Sequence, residues 1–224
     1  MTLGVSLDPE LYRRVRLGVL LLDGVSVREA DPVLDAEVEA CCHELRQRYG
    51  AQRSAEVPGA ADARALYKAL GLDPTKTRPS NEALLRRALK GESLYRINTL
   101  VDALNLCSLR LQLPFGLYDF ERVEPPVVLR RGRAGEGYEG IRKGAVSVDA
   151  RPVLVDARGP FGNPSSDSAR TMIRPETRRA LVTVYAPADY SLVRLAGVLD
   201  STEQTLTRFS GGQAVERKML PDAQ

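Results

Sequence analysis

A chain of 224 residues with 43% hydrophobic and 27% charged residues has the balance of one large globular domain, which excludes a disordered protein. No run approaches the roughly 18 apolar residues of a membrane-spanning helix, and Met1 to Pro9 lacks a cationic leader, so a cytoplasmic protein is expected. The net charge of +3 is too mild to establish a nucleic-acid binder. Cys41, Cys42, Cys107 and the lone His43 supply neither a disulfide framework nor a metal-ligand spacing, so no metal or cofactor is expected.

In chain order, Arg13 to Val27 is rich in valine and leucine and reads as a first strand or two. Asp31-Pro32 then starts a helix, with Asp31 as N-cap and Pro32 in the first turn. Leu34, Val38, Cys41, Leu45 and Tyr49 follow at helical spacing and Gly50 closes it, leaving His43 off the apolar stripe as a surface residue. Ala51 to Gly59 reads as a linker, Ala61 to Leu70 as a short helix, and Ser80 to Leu89 as another, with Ser80 as its N-cap and Lys90-Gly91 at its end. Ile97 to Leu113 is apolar around most of its circumference, so it predicts a core helix. The second half alternates short β-prone runs with Gly, Pro and Asp turns. Strands are predicted at Gly116 to Val123, Val127 to Arg130, Ala145 to Asp149, Pro152 to Asp156 and Ala180 to Tyr185. A last helix spans Asp189 to Phe209, and 213–224 reads as a frayed tail after a single domain over 1–212. Helices grouped before strands imply an α+β fold, a mixed sheet or barrel-like core with several helices.

Three features could carry chemistry. Asn98, Asp102 and Asn105 stand at i, i+4 and i+7 on the core helix, where unpaired buried polar groups would cost about 1–3 kcal/mol each. Either they face a pocket, or Asn98 caps the helix and the others meet solvent or structural partners. Between two strands, Arg130-Arg131-Gly132-Arg133-Ala134-Gly135-Glu136 makes a basic glycine-rich turn that lacks the ending of a P-loop. Within Arg158 to Thr171, after Phe161, Asp167, Ser168 and Thr171 form an Asp-Ser-x-x-Thr cluster, either an Asx or Ser/Thr turn or a set of donors around a water-orienting carboxylate. With His43 remote, Ser-His or Cys-His catalysis is not expected, and an enzyme built here would act by positioning and oxyanion stabilisation. Arginine is the dominant cation: five of the 32 basic residues are lysine and the other 27 arginine, a residue suited to bidentate phosphate contacts.

Tyr95-Arg96-Ile97-Asn98-Thr99-Leu100-Val101-Asp102-Ala103-Leu104-Asn105 resembles a run in the B3/B4 editing domain of the phenylalanyl-tRNA synthetase β-subunit. Arg78-Pro79-Ser80 before it, Leu113 to Asp119 after it, the Arg130 to Glu136 turn and Asp167-Ser168-x-x-Thr171 continue the likeness in order, over about 78–186. The resemblance implies a stand-alone editing-type domain that hydrolyses mischarged aminoacyl-tRNA, with tRNA or aminoacyl-tRNA as partner and no DNA or membrane. It assigns catalysis to Asp167, Ser168 and Thr171 and substrate binding to Asn98, Asp102, Asn105, Tyr118, Glu136 and Phe161. Arg96, Arg130, Arg131 and Arg133 would hold tRNA, and the site would lie between the Ile97 helix and the Phe161 to Thr171 loop. Family members often carry a histidine where this chain has Gly116. That departure leaves open a changed substrate, or a non-catalytic module binding tRNA or an amino acid through the same cleft.

Overall fold

Val15–Asp23 is a nine-residue strand with apolar residues on both faces, the pattern of a strand covered on both sides. The computed structural model, which describes residues 4–142 and 144–221, places it inside a sheet. The elements run β1 (Val5–Leu7), β2 (Val15–Asp23), α1 (Pro32–Tyr49), α2 (Ala60–Ala69), α3 (Ser80–Leu89), α4 (Thr99–Leu111), β3 (Phe115–Asp119) and β4 (Val127–Arg131). There follow β5 (Gly137–Gly140), β6 (Gly144–Ser147), β7 (Pro152–Asp156), β8 (Gly159–Asn163), β9 (Ser166–Asp167), β10 (Arg179–Pro187), α5 (Leu192–Ser210) and β11 (Gln213–Leu220). Two sheets dominate. One has the order β11-β2-β10-β3, all antiparallel; the other, β1-β4-β7-β8-β9, is antiparallel except for its parallel β1-β4 pair.

Alternation along the strands of the first sheet separates two cores. Leu20, Leu22, Val182 and Val184 point to one face, where Leu100, Ala103 and Leu104 of α4 and Leu195 and Leu199 of α5 cover them. Leu17, Val19, Leu21, Leu181 and Tyr185 point to the other, against Tyr67 of α2, Tyr118 of β3 and Leu129, Leu154 and Phe161 of the second sheet. On the first face α5 comes close to β2 because Gly18 has no side chain; a Cβ there would meet Leu199 at 3.0 Å.

The fold is the expected mixture of helices and strands, with two corrections. Among the described residues the sheets stay open and close no barrel. Residues 213–220 are not frayed: Gly211 and Gly212, at φ of +65° and +76°, turn the chain back so that β11 pairs along β2 and buries Leu220. Residues 222–224 of the predicted tail lie outside the described residues. Among the described residues no helix is long and apolar enough to cross a membrane.

Candidate functional site

The Asp-Ser-x-x-Thr segment is held by local hydrogen bonds and one buried ion pair. Asn163, at the end of β8, accepts from the backbone N–H of Ser165 and Ser166 at 2.8 and 2.9 Å, an Asx turn that starts the return strand β9. Ser168 is buried and its Oγ accepts from Arg170 N at 3.0 Å, capping the 3-10 turn Ala169–Thr171. Arg170 then reaches the buried Asp156 with both guanidinium ends, each at 2.9 Å, and its Nη1 also donates to Arg122 O. The expected Asx or Ser/Thr turn is therefore present, but Asn163 and Ser168 make it. Asp167 sits half-buried beside it and Thr171 is fully buried, its Oγ1 without a hydrogen-bond partner.

Behind this loop lies a cell of phenols. Tyr67 Oη donates to Pro164 O at 2.8 Å and lies 2.9 Å from Ser165 Oγ, while Tyr138 Oη donates to Ser166 O. Tyr118 and Tyr185 are fully buried. Burial, before anything else, raises the pKa of all four phenols, and the charge of Asp167 raises each further, so they remain protonated at physiological pH. The hydroxyls of Tyr118, Tyr185 and Thr183 lie near enough to perturb one another, yet none makes a hydrogen bond of good geometry. Buried hydroxyls in that condition are costly and mark a place that holds more polar capacity than the protein uses.

In front of the loop is a cleft of about 250 Å³. Exposed Lys76, Arg78 and Arg151 stand on its rim, and Asn163, Ser165 and Ser166 are among the residues that line it. None of the three cations was singled out in the sequence as a phosphate contact. They come from the α2–α3 connection and the turn before β7, more than 70 residues apart, and nothing in the spacing announces their meeting.

The α4 line lies elsewhere. Asn98 caps α4 by accepting from Val101 N at 3.0 Å, and the buried Asp102 accepts from Ile97 N at 3.1 and 3.2 Å. Burial raises the Asp102 carboxyl to about 6, against the lowering effect of the Ile97 N–H and Arg96. Asn105 is half-buried. α4 covers the first face of the β11-β2-β10-β3 sheet and Phe161 packs on the second. The expected pocket between helix and loop is thus not formed, because the sheet stands between its two walls.

Most of the expected tRNA contacts and substrate contacts are occupied or enclosed. Arg130 forks onto Glu136 at 2.7 and 2.8 Å, and that pair, chiefly, lowers the Glu136 carboxyl to about 2. Glu136 also accepts from Arg133 N, so it shapes the glycine-rich turn. Arg96 pairs with Asp35 at 2.9 Å and Arg131 with Glu10 at 3.3 Å, while Arg133 is exposed. Tyr118 and Phe161 are core residues, packed edge to face at 5.0 Å. Among the described residues no group of three or more His, Cys, Asp or Glu side chains could hold a metal ion.

A family model described as the B3/4 domain matches residues 62–223. Among solved structures, an N-terminal fragment of the phenylalanyl-tRNA synthetase β-subunit from Pyrococcus horikoshii aligns over 99% of this chain and 55% of its own, with a TM-score of 0.52 and 13% identity. At that identity the likeness is one of fold, and the chain spans about half the length of that fragment. A search of curated proteins gives no match.

Proposed function

The chain belongs to the B3/4 domain family, and we propose that it acts in trans on aminoacyl-tRNA, hydrolysing the ester of a mischarged tRNA. The observation that carries this reading is the basic-rimmed cleft opening on the segment that leads into Asp167. Lys76, Arg78 and Arg151 suit the phosphates of a tRNA acceptor end, and Ser165 and Ser166 line the space where the terminal ribose and its ester would rest. The fold likeness to a subunit of a tRNA synthetase favours tRNA over other polyanions.

Without a histidine the rate comes from orientation. Asp167 orients the attacking water and the free ribose hydroxyl of the substrate shares the proton transfer. Ser168 serves this arrangement as a cap rather than as a donor to substrate. Arg131 and Arg133 remain candidates for an outer phosphate track. Arg131 approaches Gly71, whose neighbour Leu72 lines the cleft.

A second reading has its own support. With Ser168 engaged in capping and Thr171 fully buried, two of the three expected catalytic groups are withdrawn from solvent, which favours a tRNA-binding module without turnover. Incubation with a panel of mischarged tRNAs, following both binding and ester loss, separates the two. Loss of ester with any of them supports hydrolysis, binding alone supports the second reading, and neither would sink both.

A further inference from the structure

Among the described residues Tyr95 is the most exposed aromatic side chain, at 72%. Arg87 of α3 lies over one face of its ring, 4.3 Å from the centroid, and leaves the other face to solvent. That guanidinium is itself pinned, because its Nε and Nη2 donate to Ser93 O at 3.2 and 2.7 Å. Further cations surround the ring. The exposed Arg46 of α1 lies against the turn at Gly91, where a Cβ would stand 2.6 Å from its Nη1. Lys90 precedes that turn and Arg96 follows the ring in the chain. On the acidic side, Glu92 approaches Arg87 and Lys90 at 3.2 and 3.7 Å, and Asp35 holds Arg96 at 2.9 Å. Glu39 shares with Arg46 and Arg96 an influence on the Cys42 thiol. Arg46, Arg87, Lys90 and Arg96 outnumber Glu92, Asp35 and Glu39, so the patch is positive.

Helix α3 joins this patch to the cleft. It starts two residues after the rim residue Arg78 and ends one before Lys90. Its ten residues span about 15 Å, the rise of about four stacked nucleotides at ~3.4 Å each. Its exposed residues, Ala83 and Arg86, continue to Lys90 as one stripe at i, i+3 and i+7. No carboxylate stands on that stripe, since Glu82 is buried against Arg64. An aromatic face among cations is the arrangement that takes unpaired nucleotides: bases of any sequence stack on the ring, and the cations follow the phosphates. An apolar protein partner calls instead for apolar neighbours, and over residues 91–98 Ile97 alone joins Tyr95 as an exposed apolar side chain.

We propose that Tyr95 is a stacking platform for an unpaired base in the single-stranded 3′ tail of tRNA, with Arg86, Lys90 and Arg46 neutralising the phosphates between that base and the cleft. The proposal rests on the tRNA reading for its partner, and its test is built to fail separately from that reading. Affinity of the full chain is measured for an uncharged tRNA and for the same tRNA without its unpaired 3′ tail. Tyr95→Ala is expected to weaken binding of the intact tRNA about tenfold and of the truncated one hardly at all. Tyr95→Phe should bind like wild type, because the ring and not the hydroxyl stacks. Tyr95→Leu, which keeps apolar bulk without a π face, should behave like the alanine variant. Lys90→Ala and Arg86→Ala should each lower the slope of log K against log salt by about 1. Wild-type affinity for the intact tRNA in Tyr95→Ala or Tyr95→Leu, or an equal loss with the truncated tRNA, overturns the proposal and leaves the tRNA reading in place. A slope unchanged in both lysine and arginine variants overturns the path from cleft to ring. Altered self-association of Tyr95→Ala in sedimentation, with RNA affinity intact, assigns the ring to a protein contact and refutes the platform. If neither tRNA binds, the tRNA reading fails, and a single-stranded RNA oligomer of mixed sequence decides the role of Tyr95: binding that Tyr95→Ala weakens upholds a platform for unpaired RNA, and any other result refutes it.

Discussion

The two faces of the β11-β2-β10-β3 sheet carry polar residues of the same kinds and treat them in opposite ways. On the α4 face, Asn98 and Asp102 are satisfied within five residues of themselves, by the backbone N–H groups that any helix start leaves open. On the Phe161 face, the hydroxyls of Tyr118, Tyr185, Thr183 and Thr171 are buried without a hydrogen bond of good geometry, and the charge of Asp167 acts on the two phenols. An aligned polar line on a helix was the more conspicuous signal, yet the helix itself consumes it. Residues brought together from separate strands have no such local outlet, and their hydroxyls depend on neighbours distant in the chain.

The largest effect that would break this contrast is on rate. Asp167→Ala is expected to lower single-turnover deacylation by about 10²–10³, the cost of losing one preorganised group, with the thermal midpoint nearly unchanged. Asn105→Ala, on the opposite face, should leave the rate as it was. Equal losses in the two variants, or rates that track the folded fraction, would return the site to the α4 side or reduce the loop to scaffolding.

A second pair of variants sharpens the distinction among the cations. Arg130→Ala strips Glu136 of its bidentate partner and is expected to cost about 2 kcal/mol of stability, read from urea unfolding, with little change in the salt dependence of tRNA binding. Arg151→Ala should do the reverse, reducing the slope of log K against log salt by about 1 while stability holds. A slope that changes for Arg130→Ala and not for Arg151→Ala would place the phosphate track on the glycine-rich turn.

The limits of the sequence reading follow the same line between local and distant. Asp31-Pro32 and Gly50 bound α1 as expected because N-caps and helix ends are settled by a few adjacent residues. Asn98 did the same for α4, and Pro152–Asp156 was legible as a strand from β-prone residues between turns. Pro79 rather than Ser80 takes the N-cap position of α3, a one-residue difference without consequence for packing. β8 was missed because Gly159, Pro160 and Gly162 are turn formers in any local count; only the docking of Tyr118 onto Gly162 explains a glycine in that strand. β11 was missed because Glu216, Arg217 and Lys218 give it little apolar alternation, and its pairing depends on β2, some 190 residues away. The resemblance pointed to the Phe161 to Thr171 loop, but the cleft in front of it joins residues 76, 78, 151, 163, 165 and 166, and no periodicity links those.

If the α4 line is scaffolding, removing its cap should show as stability alone. Asn98→Ala is expected to cost about 1 kcal/mol, within the ~0.5–2 kcal/mol of lost N-caps, and to leave deacylation per folded molecule unchanged. Asn98→Asp or Asn98→Ser should restore most of it, since either can accept from the Val101 N–H. A rate lost in Asn98→Ala and not recovered in the capping variants would give this residue a role in binding after all.

A last effect is confined to a pH window and concerns Asp102. Burial, chiefly, lifts its folded pKa to about 6 from the ordinary 3.8, so the folded state holds the proton more tightly than the unfolded one. The stabilisation from that proton is fully present below about pH 4 and is lost as pH rises through about 6; at pH 7 the fold carries the cost of a buried carboxylate. Glu136 has the opposite sign. Arg130 lowers it to about 2 from 4.5, so its contribution is present above about pH 4.5 and lost as pH falls toward 2. Between pH 4.5 and 7 the two are therefore separable, and Asp102→Asn isolates the first. Its amide oxygen can still accept from Ile97 N, and without a charge to bury, its stability relative to wild type should rise steadily from pH 4 to 7, reaching on the order of 1–3 kcal/mol. Urea unfolding of both chains across that range measures the difference directly. A gap that stays constant with pH would mean that Asp102 ionises without penalty in the fold, the Ile97 N–H offsetting its burial.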